Sequence, residues 1–178
     1  MIIFYIVLIF LLTIVFKRFY PSNTELLRKI IHIGIAPLIP FAKYLDVNQV
    51  SAQYFAALVS LLILANYIYQ LFPIIEDVDR KSFGTFFYCI SLFILITIFW
   101  EKDPLSLIVG YFIMAFGDGL AGLIGKNLKS KQWIIFNQKK SLLGTITMLG
   151  TSLAVISLLG FISNYNFSVY YIYIAFQA

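Results

Sequence analysis

Six runs of apolar residues, near 2–16, 30–45, 51–72, 83–100, 104–124 and 143–162, follow one another with short polar stretches between them, and a seventh begins near residue 167. In hydrocarbon every backbone polar group must be bonded within the structure, which a helix achieves by itself. Crossing the bilayer takes ~20 residues, and strand-length alternation is absent. The pattern predicts an all-α fold, a polytopic integral membrane bundle of about six or seven transmembrane helices, in one domain over residues 1–178. Composition agrees. The chain is 61% hydrophobic and 12% charged, against about 25% charged residues in a soluble domain.

The loops set an orientation. Lys17, Arg18, Arg28 and Lys29 fall in the first loop, Arg80 and Lys81 in the third, and Lys126, Lys129, Lys131, Lys139 and Lys140 in the fifth. Lys43 and Lys102 are the other basic residues. Such a bias places the odd-numbered loops in the cytoplasm and the N-terminus outside. The net charge of +5 is thereby read as topology, with no nucleic acid as partner. Residues 1–16 lack a basic n-region, and Lys17-Arg18-Phe19-Tyr20 follows where a small-residue cleavage site would stand, so this run reads as a retained span. Cys89, the single cysteine, excludes an intrachain disulfide and reads as a buried thiol. Trp133-Ile134-Ile135-Phe136 in the fifth loop reads as an interfacial anchor.

Four polar stretches stand where cytoplasmic loops meet helices. In Arg28-Lys29-Ile30-Ile31-His32, the basic pair is explained by topology. His32 is not, because ionisable groups one turn inside an apolar helix are costly and usually serve a polar site. In 76–85, the carboxylates Asp77 and Asp79 suit a divalent cation, Arg80 and Lys81 suit phosphate oxygens, and Ser82 suits a helix cap. In Gly117-Asp118-Gly119-Leu120-Ala121-Gly122-Leu123-Ile124-Gly125-Lys126, small residues allow a neighbouring helix or a ligand to approach. Asp118 within that surface calls for a cation. In 137–145, Lys139, Lys140 and Ser141 precede a helix start, which supplies charge and backbone donors for phosphate.

Together these groups suit phosphoryl transfer to a lipid alcohol, which needs a metal, cationic clamps and a positioned acceptor. Walker, kinase-type glycine and HExxH motifs are absent. Two other classes compete: a cytidylyltransferase like CDP-diacylglycerol synthase, and a small transporter using Asp118 and His32 as a relay. The nearly featureless midplanes of the fourth and sixth runs argue against transport.

The stretches at 28–32, 80–85, 117–126 and 139–145 resemble, in order, the signatures of the polyprenol kinase family, which includes phytol, dolichol and CTP-dependent diacylglycerol kinases. Gln53-Tyr54-Phe55-Ala56-Ala57 and residues 136–141 are similar to the phytol kinase branch. The resemblance implies transfer of a phosphoryl group from a nucleotide, usually CTP, with Mg²⁺, to phytol, giving phytyl phosphate on the salvage route toward tocopherol. Farnesol, geranylgeraniol or dolichol are the alternative acceptors, and the setting implied is a bacterial, cyanobacterial membrane. Asp118, with Asp77 or Asp79, would bind the metal–nucleotide. Arg28, Lys29, Arg80, Lys81, Ser82, Gly117, Gly119, Lys126, Lys139, Lys140 and Ser141 would form the phosphate and nucleotide site. His32 or a carboxylate would orient or deprotonate the alcohol.

Two positions depart from the family pattern. Gly122 stands where many relatives have an acidic residue, and Leu143 stands where dolichol-type relatives have Glu, which favours the phytol branch. The run beginning near Phe167 covers about 12 residues, short of a span, and relatives continue with a carboxylate and a later Asp-Asn pair. The expectation is that the chain lacks part of the family's C-terminal segment.

Overall fold

The computed structural model describes residues 2–20, 24–69, 84–135 and 138–163, apart from the side chains of Ile3, Thr24, Glu25, Arg28, Ile135 and Gln138. The chain divides into two compact units, Met1–Tyr111 and Phe112–Ala178.

The first unit begins with α1 (Ile2–Phe19), an apolar helix closed by Lys17 and Arg18. Next come α2 (Thr24–Gly34) and α3 (Leu38–Tyr44), where the sequence predicts a single span over 30–45. The break is the work of Pro37. Having no N–H, it cannot serve the carbonyl of Ile33, and Ala36 N donates to that oxygen instead at 3.1 Å. Leu38 N then donates to Ile35 O, at 2.9 Å, one residue short of its helical partner Gly34. Two tyrosines close the gap: Tyr5 Oη of α1 donates to Gly34 O at 2.6 Å, and Tyr111 Oη to Ile35 O at 3.0 Å. Gly34 must also be small, since a Cβ there would meet Ile9 Cγ2 of α1 at 3.0 Å.

α3 ends in a Schellman turn. Asp46 takes a positive φ of 50°, Asp46 N donates to Lys43 O and Val47 N to Ala42 O, both at 3.1 Å. Asp tolerates this left-handed position better than most side chains. Asn48 then caps α4 (Gln49–Tyr69), its Oδ1 accepting from Ser51 N at 2.7 Å. α4 packs on α5 (Gly84–Phe99), and Ala52, Ala56 and Ser60, four residues apart, are buried along one face of α4. Gln49 Nε2 ties the start of α4 to the end of α5, donating to Ile96 O and Thr97 O.

The end of α5 is latched. Lys43 Nζ donates to Trp100 O at 3.1 Å and lies 5.0 Å from the centre of the Trp100 ring. Trp100 is fully buried and its Nε1 donates to Val47 O at 3.1 Å. A cation thus sits on the carbonyl end of a helix, where the dipole favours it. α6 (Pro104–Phe112) starts with proline at its first position and Asp103 as cap, accepting from Ser106 N at 3.1 Å.

The second unit contains a π turn (Ile113–Gly117), α7 (Asp118–Asn127), an antiparallel hairpin of β1 (Gln132–Ile135) and β2 (Gln138–Ser141), and α8 (Leu142–Ile162). The hairpin departs from the expected absence of strands: Trp133 pairs with Lys140 and Ile134 with Lys139, so Trp133, Ile134 and Ile135 of the apolar patch lie on a strand. α7 and α8 pack closely through small residues. A Cβ on Gly117 would lie 2.7 Å from Met148 Sδ, and one on Gly144 would lie 3.1 Å from Ala121 O. This is the small-residue approach of membrane helix pairs.

Three helices among the described residues are long and apolar enough to cross a membrane: Gln49–Tyr69, Pro104–Asn127 and Leu142–Ile162, with the shorter apolar helix Gly84–Phe99 beside them. They match four of the predicted runs. The count of six or seven spans is not reached among these residues: α1, over the run at 2–16, is not among those helices, the run at 30–45 is divided, and the run from 167 lies outside the description. Leu58, Leu61 and Leu62 on α4 and Phe161 and Ile162 on α8 are exposed. Apolar side chains at that density belong against lipid.

Candidate functional site

Each unit has its own polar group. In the first, His32 stands in the last turn of α2 and is buried, 6% exposed. Its ring stacks on Tyr88 of α5, with centroids 4.4 Å apart and planes 16° apart. Tyr88 in turn lies 6.2 Å from the ring of Tyr111, whose hydroxyl is fixed on Ile35 O. His32 is therefore held by a chain of rings ending on the broken segment one turn beyond it. Lys29, one turn before His32, is also buried. Thr85 is buried one turn before Tyr88.

Tyr88, Tyr111 and Thr85 are absent from the sequence-predicted set. The tyrosines lie inside apolar runs and carry no local signal. Thr85 closes the stretch RKSFGT, and its spacing of three from Tyr88 is the clue available.

In the second unit Asp118 is exposed at the start of α7. It directly follows the π turn, a device common at functional sites. Lys126 is exposed in the last turn of the same helix, about 12 Å along the axis from Asp118 at 1.5 Å per residue. Lys139 and Lys140 are exposed on β2. Gly117 and Gly119 are buried, and Gly117 serves the packing on α8 described above. Asp118 thus lies on a helix whose glycine face is occupied by protein.

Ser141 is buried and caps α8, its Oγ accepting from Gly144 N at 3.1 Å. Leu142 N donates to Lys131 O at 2.9 Å and Leu143 N to Ser130 Oγ at 3.4 Å. The first amides of α8 are thus used within the protein. These three amides, which the sequence offers as phosphate donors, are already bonded within the protein, and the exposed cationic side chains nearby are those of Lys126, Lys139 and Lys140.

Asp77, Asp79, Arg80, Lys81 and Ser82 lie outside the described residues, as does the side chain of Arg28. Among the described residues no three His, Cys, Asp or Glu side chains gather for a metal ion. An exposed single carboxylate such as Asp118 still fits Mg²⁺, which keeps several waters and is held by one or two carboxylates together with substrate phosphates.

The chain is 34% identical over 143 residues to a phytol kinase of Synechocystis sp., covering 78% of this chain and 60% of that one. It is 32% identical over 125 residues to a probable chloroplastic phytol kinase 2 of Glycine max, covering 70% and 42%. It is 30% identical over 137 residues to chloroplastic phytol kinase 1 of Arabidopsis thaliana, covering 70% and 44%. The chain therefore spans 60% of the cyanobacterial relative's length and less than half of those two plant proteins. No family model matches the chain. No solved structure matches it either.

Proposed function

From membership of the phytol kinase family, to which this chain belongs over the segment it shares with those relatives, we propose that it is a membrane kinase transferring the terminal phosphoryl group of a nucleoside triphosphate to an isoprenoid alcohol. Phytol is the acceptor and CTP the donor. The observation that supports this reading best is the exposed set of Asp118, Lys126, Lys139 and Lys140 on one unit whose helices are otherwise apolar. A soluble nucleotide and a lipid alcohol meet only where charge borders an apolar helix bundle.

In the reaction the bond from the γ-phosphorus to the bridging oxygen of the nucleoside diphosphate breaks. A bond from that phosphorus to the alcohol oxygen forms. The alcohol proton passes to His32 or a carboxylate, and the diphosphate leaves. Asp118, with Asp77 or Asp79, would hold Mg²⁺, which would neutralise charge on the phosphate oxygens. Lys126, Lys139 and Lys140 would clamp the same oxygens, and Arg28, Lys29, Arg80 and Lys81 are the further phosphate candidates carried by the sequence. The isoprenoid tail lies along apolar helix surface. Purified protein in detergent, given labelled CTP or ATP and a panel of isoprenoid alcohols, tests the proposal. Phytyl phosphate is the expected product, and no phosphorylated alcohol from any pair overturns the reading.

The same proposal includes six or seven spans with the N-terminus outside and the motif-bearing loops in the cytoplasm. Single cysteines introduced at Lys17 or Lys131 in a Cys89→Ser background are expected to resist an impermeant thiol reagent in intact cells. They are expected to react once the membrane is opened. Efficient labelling at position 131 from outside reverses the orientation.

A further inference from the structure

Two contacts show that the α2–α3 segment and α5 run in the same direction. His32 stacks on Tyr88, and eleven residues further along its own segment Lys43 lies over Trp100, which is twelve residues beyond Tyr88. Residues at equal offsets on the two segments are therefore at nearly the same level. Lys29 precedes His32 by one turn, and Thr85 precedes Tyr88 by one turn, each pair on one face of its helix. All four side chains are buried, Lys29 at 3% and Thr85 at 7% exposure.

Thr85 is the unusual member. Its Oγ1 is shut off from solvent and has no hydrogen-bond partner among the described residues. A buried hydroxyl left without a partner loses its hydration for no return, and valine would fill the same volume without that loss. Packing alone does not account for the hydroxyl. By this register a cation, Lys29, stands at the same level one turn below His32, and aromatic rings stand at His32's level, which suits a small polar group on a large apolar body.

We propose that Thr85, at the level of Lys29 and one turn below the His32–Tyr88 stack, binds the hydroxyl end of a long-chain alcohol. Thr85 Oγ1 donates to the alcohol oxygen, and the alcohol's own proton is left for an acceptor at the level of His32. Lys29 stands beside the position where negative charge would appear on that oxygen. The inference deepens the kinase reading and rests on it for the identity of the alcohol.

Full-length wild type, Thr85→Val and Thr85→Ser are compared in nanodiscs by equilibrium binding of tritiated phytol, with phytane, the matching hydrocarbon, as competitor. Wild type is expected to prefer phytol to phytane. Thr85→Val is expected to bind phytol about tenfold more weakly and to lose that preference, with an unfolding temperature equal to or above wild type. Thr85→Ser is expected to retain both. Wild-type affinity in Thr85→Val overturns the proposal, as does absence of phytol binding by wild type. So does a fall in unfolding temperature in both variants that accounts for the lost binding. The expected binding pattern without any phosphoryl transfer would retain the alcohol site and reject the kinase reading. Phosphoryl transfer with unchanged binding in Thr85→Val would do the reverse.

Discussion

Asp118→Asn is expected to lower turnover by roughly 10²–10³-fold at saturating nucleotide, the scale of losing one preorganised electrostatic group from a transition state. Phosphoryl transfer asks little covalent chemistry of a protein, so placement of charge is most of the catalysis. The substitution keeps shape and removes one negative charge. Asp118 is exposed, so unfolding temperature is expected to stay near wild type. A magnesium titration of the initial rate gives the sharper readout: the variant should need much more metal to reach its own maximum. If Asp118→Asn turns over at the wild-type rate with the wild-type metal requirement, the carboxylate is structural.

Gly125→Val should produce the largest change in stability. Replacing a helical glycine by valine ordinarily gains roughly 0.3 kcal/mol through helix propensity. Here the new Cβ would stand 2.6 Å from Ser141 Oγ and 3.3 Å from Gly144 Cα. The first clash displaces the cap of α8, worth about 1 kcal/mol. The second drives two backbones apart, at a cost of about 1–3 kcal/mol. A net loss of about 2 kcal/mol is expected in reversible detergent unfolding. Activity should fall with it, because Asp118 and Lys126 ride on α7 while Lys139 and Lys140 lead into α8. Gly150→Ala is the internal control: no atom lies within 4 Å of its Cβ position, so it should be neutral or stabilising. Equal stability of the two variants would mean that α7 and α8 do not depend on close approach.

The helices were legible where the apolar run was long and uninterrupted. The runs at 51–72, 83–100 and 143–162 became Gln49–Tyr69, Gly84–Phe99 and Leu142–Ile162, because hydropathy and backbone satisfaction demand the same thing there. The run at 30–45 reads as one helix, and the structure divides it, because Pro37 barely lowers hydropathy while removing the one N–H that helix continuity requires. The hairpin at 132–141 was hidden in a short mixed stretch, where pairing between Trp133 and Lys140 leaves no periodic trace. Gly117 and Gly125 could be recognised as packing residues, but their partners, Met148, Ser141 and Gly144, depend on tertiary approach. Asp118 and His32 stood out because charge in an apolar context is rare. Tyr88 and Tyr111 did not, since a tyrosine in such a run resembles any other aromatic until its neighbours are known.

The break between α2 and α3 bears on permeability. Open carbonyls within an apolar assembly attract water, and a file of water through a bilayer conducts protons. Tyr5 and Tyr111 remove the starting point for such a file. Their hydroxyls occupy Gly34 O and Ile35 O, and Leu38 N takes the second lone pair of Ile35 O. The chain can thereby bend beside His32 without leaving either carbonyl open to draw water toward that buried ring.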